Sequence, residues 1–127
     1  MKSGKLMAIG AACAFTVMAD TAVAQGDPDA GSTAFTRCVA CHLFDDSGRH
    51  RIGPNLADVF GRTAGSVEDF PRYSDALKAS GIVWDDATLD QWLTSPEGLV
   101  EGALMKMAIS DADMRANLIA FLKRGVP

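Results

Sequence analysis

The sequence is poor in the side chains that bind metals. Its 127 residues include three cysteines and two histidines. A structural zinc site takes four ligands, most often cysteine and histidine. Beyond Cys38, Cys41 and His42, the chain after residue 24 offers only His50. A structural zinc site would have to use every cysteine and histidine after residue 24, so the composition gives it little support.

Positive charge is also scarce. The chain has 12 Lys and Arg residues against 16 Asp and Glu residues, a net charge of −4. Such a chain has no electrostatic reason to bind nucleic acid or an anionic membrane surface. Internal repeats, low-complexity runs and the alternating pattern of strands are absent from the sequence as well. The length predicts one domain.

An apolar run long enough to anchor the chain in a bilayer is missing too. Residues 6–18 form an apolar stretch that is shorter than the roughly 20 residues of a spanning helix. Lys2 and Lys5 precede this stretch, and Ala22-Val23-Ala24 follows it with small residues that suit a signal peptidase. We expect residues 1–24 to be a cleaved signal peptide that exports the chain to the periplasm. A retained anchor helix is the alternative.

Cleavage after Ala24 defines a mature domain of residues 25–127, without a membrane anchor. It removes Lys2, Lys5, Asp20 and Cys13, which leaves ten basic and fifteen acidic residues and a net charge of about −5. In an oxidising compartment a spare thiol would need an explanation. The mature chain has none, because its two cysteines belong to one motif.

The mature sequence predicts an all-α domain of about four helices with long loops. The first helix begins at Asp27-Pro28, an N-cap followed by a proline, and is expected to reach about Cys41. A loop over residues 43–62 follows. Two further helices are expected over residues 74–80 and from residue 85 or 86 to residue 93, where glycine or proline then ends each one.

The last helix has the clearest signals. Ser110, with Asp113 three residues later, is an acidic version of the capping box. Lys123 and Arg124 suit the negative end of the helix dipole, and Gly125 suits the position after the helix. An apolar stripe, which we interpret as core packing, consists of Met114, Leu118, Phe121 and Leu122.

One pentapeptide carries the chemistry: Cys38-Val39-Ala40-Cys41-His42. Two cysteines at this spacing on a helix project from the same side, so they can add to the two vinyl groups on one porphyrin edge. The next residue, His42, can then ligate the iron from the proximal side. Long loops in a small domain also need something to pack against, and a haem meets that need. The pattern predicts one covalently attached haem c.

Two other uses of a Cys-x-x-Cys pair have less support. A thioredoxin-like redox pair would stand at a strand-to-helix junction within a βαβ pattern, which this sequence lacks. A disulfide between Cys38 and Cys41 would be strained within a helix and would give His42 no role.

A second axial ligand is expected from the far end of the chain. Methionine suits an electron carrier, because its soft thioether favours reduced iron and raises the potential. Met105 and Met107 lie in a loop outside any regular stripe, whereas Met114 belongs to the apolar stripe and is interpreted as core. Spacing alone does not choose between Met105 and Met107.

With these motifs the mature sequence resembles a class I cytochrome c, the monohaem type of mitochondria and the bacterial periplasm. The resemblance begins at Gly31 and Phe35 and includes Gly53-Pro54-Asn55-Leu56 after the pentapeptide. It implies that the Pro54 carbonyl accepts a hydrogen bond from the ligating histidine. It also implies that His50 ties loop backbone together and is not a ligand.

The resemblance continues through Phe60-Gly61-Arg62 and Gly81-Ile82-Val83-Trp84. It implies that Arg62, Tyr73 and Trp84 hold the haem propionates, since buried carboxylates need hydrogen-bond donors. In the distal loop the family's glycine is kept as Gly102, and the methionine three residues later is Met105. The resemblance therefore implies Met105 as the second iron ligand, with Met107 beside the haem edge.

Departures from the family pattern lie on the distal side. Ala103 replaces a threonine and Leu77 replaces a polar residue, which implies a changed hydrogen-bond network and a shifted potential. Where mitochondrial relatives carry lysines, this chain has Glu97, Gly98, Glu101 and Leu104. We therefore expect a redox partner with a basic docking patch.

Taken together, the motifs predict an electron carrier of a respiratory chain and not an enzyme. It would pass single electrons between periplasmic or membrane-bound partners. The electrons would leave through the haem edge, which is expected near Met107 and residues 97–104. A cytochrome subunit of one dehydrogenase or oxidase complex is an alternative to a free monomer. A peroxidase-like haem protein with a labile methionine ligand is a second alternative.

Overall fold

The computed structural model describes residues 25–127. The signal peptide predicted for residues 1–24 lies outside the described residues. Within residues 25–127 there are five α-helices and no β-strand, and one isolated bridge joins Thr63 to Val83. The all-α prediction is confirmed, with one helix more than expected.

The helices are short and the connections between them are long. Helix α1 is Pro28–Ala34, and one 3-10 turn, Phe35–Arg37, continues it. The others are α2 (Asp75–Ala79), α3 (Asp86–Thr94), α4 (Pro96–Leu99) and α5 (Ala112–Arg124). None of the helices in the described part of the chain is both long and apolar enough to cross a membrane.

The first helix ends earlier than predicted. The hydroxyl groups of Thr33 and Thr36 donate to main-chain carbonyls of the preceding turn, at 3.4 and 2.8 Å. Such bonds compete with a regular helix. One more turn then forms at the pentapeptide, where the Cys38 carbonyl accepts from the amides of Cys41 (3.0 Å) and His42 (2.8 Å). The cysteines and the histidine therefore share a single turn.

Two helix starts agree with the predicted boundaries, and side-chain caps explain them. The Ser74 hydroxyl accepts from the Leu77 amide at 3.1 Å and begins α2. At α3, the Asp85 carboxylate accepts from the Thr88 amide, and the Thr88 hydroxyl accepts from the Asp85 amide, both at 2.8 Å. This reciprocal capping box fixes the start of α3, whose residues Leu89, Trp92 and Leu93 line the cavity described below.

Two other helix starts differ from the prediction. The cap of α5 is Asp111, whose carboxylate accepts from the Met114 amide at 3.0 Å, and not Ser110. This later start leaves the Ser110 carbonyl free to accept from the Arg115 guanidinium at 3.0 Å. Helix α4 was not predicted: Ser95 ends α3 and also caps α4, with a proline in the first turn.

Helices α1 and α5 cross at close range, which closes the two ends of the domain on each other. A Cβ atom at Gly31 would lie 2.0 Å from the Asn117 carbonyl oxygen, so only glycine fits at this crossing. Just beyond it, the rings of Phe35 and Phe121 are 5.3 Å apart, and Phe44 packs 4.7 Å from Phe121. Because the pentapeptide directly follows this crossing in the chain, the crossing fixes the position of the pentapeptide relative to α5.

Candidate haem site

The loops and helices surround a cavity of about 450 Å³ with a largely apolar wall. This volume lies in the range of sites for small molecules and cofactors. All the site residues predicted from the sequence line this cavity. They are Cys38, Cys41, His42, Pro54, Arg62, Tyr73, Trp84 and Met105.

The ring of His42 is held at one nitrogen. His42 Nδ1 lies 2.7 Å from the Pro54 carbonyl oxygen, and since a carbonyl can only accept, Nδ1 carries the proton and donates. Burial, and to a smaller extent the charge of Arg62, lowers the pKa of His42. The neutral ring therefore keeps an unprotonated Nε2, which is the form of histidine that ligates a metal.

Gly53 lets the backbone pass directly against this ring. A Cβ atom at this position would lie 2.3 Å from His42 Cε1 and 2.7 Å from Nδ1, closer than any side chain tolerates. The Gly53 amide also donates to the Cys41 carbonyl at 2.7 Å. The segment that contains Pro54 is thus bonded to the pentapeptide at two points.

His50 lies outside the cavity lining and braces the same loop. Its Nδ1 accepts from the Asn55 amide at 2.9 Å, so its Nε2 carries the proton and donates to Asp69 at 3.0 Å. The Asn55 side chain is buried and donates to the Asp45 carbonyl at 3.0 Å. These contacts hold loop backbone, which is the role that the resemblance implied for His50.

Cys38 and Cys41 lie half-buried in the cavity wall and are not joined to each other. Burial, with a smaller contribution from the neighbouring Cys41, raises the pKa of the Cys38 thiol. Two unlinked thiols and one imidazole, all from a single turn, fit the attachment edge and proximal ligand of a c-type haem.

Arg62, Tyr73 and Trp84 provide hydrogen-bond donors to the cavity wall. The two terminal nitrogens of Arg62 donate to the carbonyls of Ala57 and Asn55, each at 3.1 Å, which fixes the guanidinium in place. The Trp84 amide donates to the Arg62 carbonyl at 3.0 Å, so the two residues are held together. Burial raises the pKa of Tyr73, which therefore keeps its hydroxyl proton.

The charged residues of the cavity lining are cations. They are Arg37, Arg62, Arg72 and Lys106. No carboxylate of the described residues belongs to this lining, although acidic residues outnumber basic ones in the chain. A cavity of this composition fits a group that carries carboxylates of its own, as a haem does.

The three methionines of the C-terminal half lie in different surroundings. Met105 is half-buried and lines the cavity, and Met107 lines it with an exposed side chain. Met114 packs against the core and is not part of the lining. Ala103 is buried and Leu77 lines the cavity, so this region has apolar side chains at both positions.

Trp92 is a site residue that the sequence reasoning missed. Its indole Nε1 donates to the Met105 sulfur at 3.3 Å, and its ring packs 5.4 Å from that of Trp84. A thioether sulfur has two lone pairs, so this bond leaves one for a metal. The sequence did contain a signal for this role. Trp92 shares the buried face of its helix with Leu89 and Leu93, and a buried indole needs a hydrogen-bond acceptor nearby.

The charges near the cavity mouth bear on the expectation about the partner. That expectation relied on the net negative charge of the mature chain and on Glu97, Gly98, Glu101 and Leu104, which stand where mitochondrial relatives carry lysines. Glu97 is instead paired with Lys106, with 2.5 Å between Oε2 and Nζ. The ion pairs of the described residues include neither Arg51 nor Arg72. The basic partner stays a prediction, and Lys106 compensates the charge of Glu97 within the protein itself.

Comparison with known proteins gives a consistent result across sequence and structure. No protein-family model matches the chain. It is 36% identical over 125 residues to cytochrome c-554 of Methylosinus trichosporium, covering 98% of this chain and 94% of the relative. It is 39% identical over 123 residues to cytochrome c2 of Rhodomicrobium vannielii, covering 96% and 95%.

Similarity extends to a solved structure, cytochrome cH from Methylobacterium extorquens. The TM-score is 0.72 at 44% sequence identity, and the match covers 78% of this chain and 99% of the other. The shared region includes nearly all of the solved chain, so the similarity concerns the whole domain and not a local motif.

We predict that Gly53→Ala destabilises the protein, because the added Cβ must displace the His42 ring or the backbone beside Pro54. The expected loss is about 1–3 kcal/mol in the free energy of unfolding, measured by guanidinium titration. Ile52→Ala is the control, since Ile52 is 69% exposed. Equal losses in the two variants would contradict the contact between Gly53 and the His42 ring.

Proposed function

Since this chain belongs to the class I cytochromes c, which carry electrons on one covalently attached haem, we propose that it transfers single electrons in the periplasm between partners of a respiratory chain. It is an electron carrier and not an enzyme. Its cofactor is one c-type haem, and Cys38 and Cys41 fit the attachment motif. The observation that supports the proposal most is that His42 and Met105 line the same cavity.

In this proposal His42 and Met105 would hold the haem iron. When bound, the haem supplies one-electron chemistry, because its iron alternates between the ferrous and ferric states. The bond from His42 Nδ1 to the Pro54 carbonyl, 2.7 Å long, orients the ring and leaves Nε2 for the iron. Trp92 holds the Met105 sulfur at 3.3 Å and restricts the rotation of its side chain.

Arg62, Tyr73 and Trp84 are proposed to hold the haem propionates. Each is a donor at the wall of a cavity that has no acidic lining residue among those described. The fixed guanidinium of Arg62 supplies a charge that compensates a carboxylate at low solvent exposure. The apolar remainder of the wall excludes water, which keeps the surroundings of the iron similar in both oxidation states.

The ligand assignment is tested with two methionine variants. Met105→Ala is expected to abolish the sulfur-to-iron charge-transfer band in the far red of the oxidised protein, because it removes the ligating thioether. Met107→Ala is the matched control and is expected to keep the band, since Met107 is exposed at the cavity mouth. Loss of the band in Met107→Ala alone would reverse the assignment.

Periplasmic location is proposed from residues 1–24, which lie outside the described residues. Lys2 and Lys5, the apolar residues 6–18 and Ala22-Val23-Ala24 have the order of a cleaved export signal. The bacterial relatives named above are cytochromes of the same type, which supports the same compartment.

We expect the mature protein to begin at Gln25, so that its mass equals that of residues 25–127 plus one haem. Mass spectrometry of the periplasmic fraction measures this directly. Ala22→Arg is the control, because a large charged side chain blocks signal peptidase and should leave the precursor in the membrane fraction. A native protein that retains residues 1–24 would contradict the cleavage.

The exit surface is proposed at the cavity mouth. Ile52, Leu104 and Met107 line the cavity and are 69%, 66% and 40% exposed. An apolar centre with charged residues around it is typical of a protein interface. Arg51 lies beside this centre and donates to the Val39 carbonyl of the pentapeptide at 2.9 Å, and Arg72 donates in turn to the Arg51 carbonyl.

Because Arg51 and Arg72 have no carboxylate partner among the described ion pairs, we propose that the redox partner presents carboxylates to this side of the mouth. This proposal differs from the basic partner expected from the net charge and from the residues at the lysine positions of the family. The surface keeps its apolar centre in either case, so the arginines decide the sign of the complementary charge.

Charge reversal distinguishes the two partners. Arg72→Glu is expected to slow oxidation of the reduced protein by native membranes about tenfold at low ionic strength and to weaken its salt dependence. Glu101→Lys is the matched reversal at an exposed acidic residue near the Met105 segment in the chain, and it should leave the rate unchanged or raise it. A larger slowing in Glu101→Lys than in Arg72→Glu would restore the basic partner.

A further inference from the structure

Glu97 makes contacts that the haem site does not require. Its Oε1 accepts from the Gly102 amide at 3.0 Å, and its Oε2 accepts from Lys106 Nζ at 2.5 Å. Met105 lies between these two partners in the chain. One carboxylate therefore bonds to both ends of the segment that carries the proposed iron ligand.

That segment has little backbone support of its own. The Ala103 amide donates to the Val100 carbonyl at 3.0 Å, and the next backbone bond is from the Ile109 amide to the Leu93 carbonyl at 2.8 Å. No backbone hydrogen bond of the described residues involves residues 104–108. Segments with so few backbone bonds open at low cost in free energy.

The position of Glu97 is itself well defined. It stands in the first turn of α4, where the Ser95 hydroxyl accepts from the Gly98 amide at 3.0 Å. Pro96 is buried, and its carbonyl accepts from the Val100 amide at 2.9 Å. The carboxylate therefore projects from a fixed turn towards the segment of Met105.

We propose that Glu97 is a positioning residue, a carboxylate latch that keeps the Met105 segment closed over the cavity. Its bonds to a main-chain amide and to the Lys106 ammonium are both charge-assisted. The inference builds on the proposed function, because it takes Met105 as the iron ligand. It gives Glu97 a role within the protein in place of the partner contact expected from the sequence.

The latch acts on local opening and not on global stability. The side chains of Glu97 and Lys106 are 52% and 68% exposed, and exposed ion pairs contribute little to the folding of a whole domain. Opening of residues 104–108 breaks this pair and the bond from Trp92 to Met105, but it breaks no backbone hydrogen bond of that stretch. A small change at Glu97 should therefore change how often Met105 leaves the iron.

Binding of imidazole to the oxidised holoprotein measures this opening, because imidazole must take the place of Met105. Glu97→Gln is expected to raise the rate of binding about threefold, since it removes the charge from both bonds. Glu97→Ala removes the acceptor as well and is expected to raise the rate further. Both variants should keep the far-red band and an unchanged midpoint of global unfolding.

Glu101→Gln is the matched control. It makes the same charge change four residues away at another exposed position, and no hydrogen bond of the described side chains involves Glu101. We expect its rate of imidazole binding to equal that of the native protein. Equal rates in Glu97→Gln and Glu101→Gln would overturn the latch.

Lys106 supplies two further tests. Lys106→Gln combined with Glu97→Gln should be no faster than Glu97→Gln alone, because the two side chains form one interaction. The exchanged pair Glu97→Lys with Lys106→Glu should recover part of the slow binding. Additive effects, or no recovery, would contradict a specific pair.

Failure of the latch is distinguishable from failure of the proposed ligand. If Met105→Ala abolishes the far-red band and Glu97→Gln binds imidazole at the native rate, Met105 remains the ligand and the latch is wrong. If Met105→Ala keeps the band, the ligand assignment is wrong and the latch is overturned with it.

Discussion

The hydrogen bond from His42 to the Pro54 carbonyl is the constraint on which the rest of the site depends. It fixes which ring nitrogen carries the proton and turns the pentapeptide towards a loop twelve residues away. Gly53 makes the contact possible, because any larger residue would collide with the ring. The Gly53 amide then returns a bond to Cys41, so motif and loop form one rigid proximal wall.

The two walls of the cavity differ in how they are held. The proximal wall has backbone bonds, a close glycine contact and the His50 brace. The Met105 segment has side-chain contacts from Trp92 and Glu97 and no backbone bonds over residues 104–108. A firm proximal wall and a more easily opened Met105 segment would suit a haem attached through the pentapeptide, since the Met105 segment can open while the links at Cys38 and Cys41 stay intact.

The charge at the cavity has the opposite sign to the net charge of the chain. The protein is acidic overall, yet the charged residues of the cavity lining are cations. The net charge of the whole chain led to the expectation of a basic partner. At the cavity mouth, however, the pairing of individual charges differs from what this sum suggests. Glu97 is compensated by Lys106, while the hydrogen bonds of the Arg51 and Arg72 side chains among the described residues go to carbonyls. Electrostatic arguments about docking therefore need the arrangement of charges and not their sum.

The sequence by itself determined the c-type haem and the all-α class, because these depend on short-range spacing and on local helix signals. It misjudged the end of the first helix, where threonine hydroxyls compete for the backbone. Only the tertiary structure decided that Trp92 bonds to Met105 and Glu97 to Lys106. Those pairs are 13 and 9 residues apart, and they meet because α3 and α4 fold against an irregular segment that no local pattern describes.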